Sequence, residues 1–174
     1  MDWLGRYRAR RQQASEARLA ERLQAWLQAS RSIHRQCGAS IDDRLAGEGD
    51  IGRSLDRIDR ELHLLKDTAS ALTTPLRRRD PELARLAGEI TESLYRLRNQ
   101  TASYLIRAQG PAPAFLTNPR AGEGLQGEHR RKAFEQVGAE AWQLALRTGE
   151  QLTLLERQAE PFLRLPPSPR PPAR

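Results

Sequence analysis

Between residues 51 and 76 the apolar side chains fall at Ile51, Leu55, Ile58, Leu62, Leu65, Ala69, Leu72 and Leu76, in steps that alternate four and three. A helix completes a turn about every 3.6 residues, so this spacing stacks one apolar side chain per turn on a single face. Related stripes flank it. Upstream run Leu19, Leu23, Trp26 with Leu27, Ser30, Ile33, Cys37, Ile41 and Leu45. Downstream come Leu83, Leu86, Ile90, Leu94, Leu97, Thr101, Tyr104 with Leu105, and Ala108; then Phe134, Val137, Ala141, Leu144, Thr148, Leu152, Leu155 and Ala159. The stripes predict an all-α protein: an elongated, antiparallel bundle of about four long helices with coiled-coil-like packing.

Composition agrees. Val137 is the only valine, and the apolar content is mostly Leu and Ala. Such residues keep their rotamer freedom in a helix, where β-branched ones lose it. Helices are expected over about 6–45, 51–74, 81–108 and 128–160, forming one bundle domain over 1–160. Gly38 is a candidate kink, and Gly47 to Asp50 reads as a turn with Asp50 as N-cap. Thr74-Pro75 should end the second helix, because the residue before a proline resists helical geometry. Residues 75–80 then form a turn, and Asp80-Pro81 supplies an N-cap and a first helical position for the third helix. Residues 109–127, with Gly110-Pro111, Pro113, Pro119 and Gly122, read as a mobile loop. Residues 161–174 read as a disordered Pro/Arg tail, whose Pro169 to Arg174 fits a Pro-x-x-Pro-x-Arg pattern.

Chemistry leaves little trace. A di-iron bundle needs Glu-x-x-His, but Arg31, Arg60 and Gln126 stand three residues before His34, His63 and His129. His34, Cys37 and His63 would share a height, yet His129 would sit roughly 20 Å away, and structural zinc needs four ligands. Cys37 lies on a core stripe without an activating base. Asp42 and Asp43 diverge by about 100° on a helix, and no phosphate-binding glycine loop is present. Neither a metal nor a cofactor nor an enzymatic activity is therefore expected. A lone cysteine, no apolar leader core and no membrane-length apolar run together predict a cytoplasmic setting.

The charge is more informative. The chain of 174 residues carries a net +7, with Lys66 and Lys132 its only lysines. An arginine surplus also arises from GC-rich codon usage, so placement matters more than number. An up-down-up-down bundle gathers Arg6, Arg8, Arg10, Arg11, Arg77, Arg78, Arg79, Arg164 and Arg170 at one end. The other end carries Asp42, Asp43, Glu48, Asp50 and Glu123, partly offset by Arg130, Arg131 and Lys132. A basic pole of that kind draws polyanions by releasing their counterions. Trp3 and Tyr7, with Leu4, stand among the N-terminal arginines as an aromatic anchor for either stacked bases or a membrane interface. The expected function is that of a non-catalytic interaction or scaffold protein that binds nucleic acid and self-associates. The alternatives are a peripheral protein on an anionic membrane surface and a bundle enzyme without a recognisable motif.

Overall fold

The computed structural model describes residues 3–45, 51–107 and 125–164. They form four helices: α1 (Trp3–Leu45), α2 (Ile51–Arg79), α3 (Pro81–Arg107) and α4 (Leu125–Leu163). No strand occurs among the described residues. The Gly47–Asp50 turn, most of the expected loop (through residue 124) and the tail beyond 164, with Arg170, lie outside the described residues.

The stripes face inward as expected. Leu23, Trp26, Ile33 and Cys37 of α1, Ile58, Leu65 and Leu76 of α2, Ile90, Leu94 and Leu97 of α3, and Leu152 and Leu155 of α4 share one core. A smaller cluster of Ile41, Tyr104, Leu105 and Ala141 closes the far end. Gly138 lets α4 approach there, since a Cβ on it would stand 3.0 Å from the Tyr104 ring.

Cross-links fix the register. Glu16 meets Arg79 and Arg22 meets Ala71, in reverse order along the two chains, so α1 and α2 run antiparallel. Arg31 meets Glu156 and His34 meets Ala145, which sets α4 antiparallel to α1. Asp59–Arg98 joins α2 to α3, and Gln100–Glu140 joins α3 to α4. α1 also packs on α3 across the diagonal.

Three helices differ from the sequence expectation in their bounds. α1 starts at Trp3, and α4 spans Leu125–Leu163 with Pro161 inside it. More consequentially, α2 does not stop at Thr74: it passes through Pro75 and ends at Arg79. Proline removes the N–H that would have bonded the Ala71 carbonyl. The Arg22 guanidinium of α1 donates to that carbonyl at 3.2 Å instead, while fully buried Leu76 anchors the last turn in the core. Only Asp80 separates α2 from α3, and it caps as expected: its Oδ1 accepts from the Leu83 N–H at 2.9 Å. α1 is continuous through Gly38.

Candidate nucleic-acid interface at the basic end

The register decides what the basic end looks like. α2 finishes level with Glu16, whose carboxylate lies 3.4 Å from Arg79. α4 finishes at the same height, where Pro161 and Phe162 share a pocket of about 440 Å³ with Gln12, Leu19 and Pro75. Everything in α1 before Gln12 therefore stands beyond the ends of its neighbours among the described residues. From Gln12 back to Trp3 the rise is about 14 Å. Every residue from Arg6 to Gln13 is exposed.

On this projecting helix Trp3 and Tyr7 stack on each other, with ring centroids 5.9 Å apart and planes 20° from parallel. They remain 68% and 52% exposed, so they cover no part of the core. At about 100° per residue, Arg6, Arg10, Trp3, Tyr7 and Arg11 fall within roughly 140° of the helix circumference. The aromatic pair thus sits inside the arginine arc, and Arg8 follows just beyond it. Arg6, Arg8, Arg10 and Arg11 make no ion pair among the described residues.

The remaining arginines divide. Arg77 and Arg78 are exposed and likewise without an ion pair among the described residues. Arg79 is partly neutralised by Glu16, and Arg164, one residue past α4, pairs with Glu160 inside it. The expected single pole is thus a basic rim around Arg77–Arg79 with an arginine-rich helix standing above it. Leu4 lies in that helix, its side chain outside the described residues.

Away from this end the electrostatics are structural. Arg98 grips Asp59 through two hydrogen bonds of 2.7 Å, and Arg31 grips Glu156 through a second bidentate pair. Each guanidinium holds its partner's carboxyl below the ordinary carboxylate range by hydrogen bonding to the charged form. Burial pushes the Cys37 thiol up to about 11, which leaves it a poor nucleophile. His34 bonds the Ala145 carbonyl of α4 at 2.8 Å, whereas His63 bonds the Asp59 carbonyl of its own helix at 2.8 Å. Among the described residues, no group of three or more His, Cys, Asp or Glu could hold a metal ion, and no helix is long and apolar enough to cross a membrane.

One feature escaped the sequence reading. Trp142, Leu146 and Leu154 line an open groove between α1 and α4. Their spacing of four and eight residues, off the core stripe of α4, was the signal.

Protein-family models, curated proteins and solved structures provide no match to this chain.

Proposed function

We propose that this chain is a non-catalytic helical interaction protein whose basic end binds nucleic acid, preferentially single-stranded. The observation that carries the reading is the projecting N-terminal part of α1, where an exposed Trp3–Tyr7 stack is interleaved with exposed arginines. Single-strand binders combine aromatic platforms for bases with cations that track phosphates, each stacked base contributing about 1–3 kcal/mol. Arg77 and Arg78 extend the positive surface on the rim below. A cytoplasmic setting belongs to the same proposal, supported by the lone thiol of Cys37.

The competing reading is a peripheral membrane protein. An interfacial helix separates an apolar face, which enters the lipid, from a charged face that stays out. Here the aromatics lie within the arginine arc, and burying them would drag Arg6, Arg10 and Arg11 toward the acyl region. That geometry favours the nucleic acid.

The deciding experiment compares fluorescence-anisotropy titrations of single-stranded and duplex oligonucleotides with binding to phosphatidylserine-containing vesicles. The single strand is expected to bind in moderate salt. Trp3→Ala should weaken that binding about fivefold or more, corresponding to roughly 1 kcal/mol. No oligonucleotide binding at moderate salt overturns the proposal. Vesicle binding that alone depends on Trp3 transfers the assignment to the membrane.

A further inference from the structure

The groove between α1 and α4 holds about 760 Å³ and lies far from the projecting helix. Its α4 wall exposes Trp142 (41%), Leu146 (55%) and Leu154 (49%), more apolar surface than a solvated helix face has reason to carry. The floor is made of small residues: Gly38 and Ala39 from α1, Ala145 and Gly149 from α4. At Gly149 the helices approach so closely that a Cβ would stand 3.0 Å from His34 Nε2. Nothing lies within 4 Å of where a Cβ of Gly38 would be, so that floor is open to a visitor.

Charge identifies the visitor. The chain as a whole is +7, so two copies repel across most of their surface. This face does not share that surplus. Arg31 is neutralised by Glu156, and the other charged lining residues are Arg35 and Arg157 against Asp42 and Glu150, none of them in an ion pair among the described residues. The face is neutral and carries both signs.

We propose that a second copy of this chain docks here, in a parallel twofold dimer that sets α1 of each copy against α4 of the other. His34 and Gly149 touch, so Arg35 and Glu150, each one residue further on, stand at nearly one height on opposite sides of the groove. A twofold axis along the bundle then brings Arg35 of each copy to Glu150 of the other. Trp142 lies about 10 Å below Gly149 by helical rise, level with the stretch from Ala39 to Asp42. Its indole therefore meets the small residue Ala39 of the second copy, next to the open floor at Gly38.

The symmetry makes the test specific. Light scattering and sedimentation on the full chain, from micromolar to millimolar, should show a dimer of twice the chain mass. Leu146→Glu should raise the dimer dissociation constant at least about tenfold, as loss of a central apolar contact does. Arg35→Glu and Glu150→Arg should each weaken self-association on their own. Mixed together they should form a heterodimer, because both cross-contacts then join opposite charges. Circular dichroism checks that each variant keeps its helices, and the two charge variants alter only solvent-exposed positions. A monomer over the whole range overturns the proposal. So does a dimer indifferent to these changes, a mixture that associates no better than its parts, or a monomer whose groove takes only an amphipathic peptide.

Discussion

Pro75 has no N–H to offer the Ala71 carbonyl, and a proline within a helix typically costs about 3 kcal/mol. The break lies close to the end of α2 and Arg22 covers the stranded carbonyl, so the penalty here should be smaller. Pro75→Ala is expected to stabilise the protein by about 1 kcal/mol, or roughly 2–4 °C in melting temperature. Arg22→Ala should destabilise the parent by up to about 1 kcal/mol and matter little once Pro75 is replaced, a coupling that a double-mutant cycle measures. Equal effects in both backgrounds would separate Arg22 from the proline. The Asp59–Arg98 and Glu156–Arg31 pairs predict an acid response. Folding lowers both carboxyl pKa values, so the folded chain binds fewer protons than the unfolded one as the carboxylates titrate. Their stabilisation is complete above the ordinary carboxylate values near about 4 and is lost as the pH falls through the lowered ones. Both pairs are partly exposed, so each contributes less than about 1 kcal/mol. Asp59→Asn combined with Glu156→Gln should lower the melting temperature at neutral pH by a few degrees and flatten its fall in acid. A variant whose acid transition matches the parent's would show that these pairs contribute nothing.

At the scale of helices, adjacent residues can have opposite fates, and α2 shows it. Leu65 is fully buried while Leu64 is exposed. Leu65→Asp puts an uncompensated carboxylate into the core that Leu65 shares with Ile58, Leu94 and Leu97 and should cost more than about 3 kcal/mol, while Leu64→Asp should stay within about 0.5 kcal/mol. Urea unfolding of the pair checks the inward stripe, and similar midpoints would refute it. The same periodicity explains how much of the fold was legible. Repeats of three and four gave the helices, and the Asp80-Pro81 signal gave the start of α3, because both are written in neighbouring residues. The end of α2 was misread because the group that rescues it, Arg22, is 49 positions from Ala71 and arrives only through packing. The projection of Trp3 to Arg11 was hidden for a related reason. It depends on where α2 and α4 stop against α1, a register that no single stripe encodes. The basic cluster itself was visible as composition, whereas its division into a standing helix and a rim was not.

The whole molecule sets these charges in order along its axis, and salt dependence reads that order. Each phosphate contact on a single strand contributes roughly −0.7 to the slope of log K against log salt. If Arg6, Arg8, Arg10 and Arg11 all meet phosphates, replacing the four by Ala should reduce the magnitude of the slope by roughly 3. Arg77→Ala with Arg78→Ala should remove about 1.4, and less if the strand follows the projecting helix alone. Arg79, already shared with Glu16, should matter less than either neighbour. Arg57 and Arg107, exposed on the far half, serve as controls whose loss lowers net charge without touching the basic end. Similar slopes for near and far replacements would mean that the strand senses total charge and no particular surface. The proposed parallel dimer adds a further expectation, because it would set two projecting helices side by side at one end. A strand long enough to reach both should bind more tightly than one that reaches a single helix, since the second contact is then intramolecular. Leu146→Glu should abolish that length dependence while leaving the affinity for the short strand unchanged. Retention of the advantage in a monomeric variant would place both contacts on one chain, with the Arg77–Arg78 rim as the second.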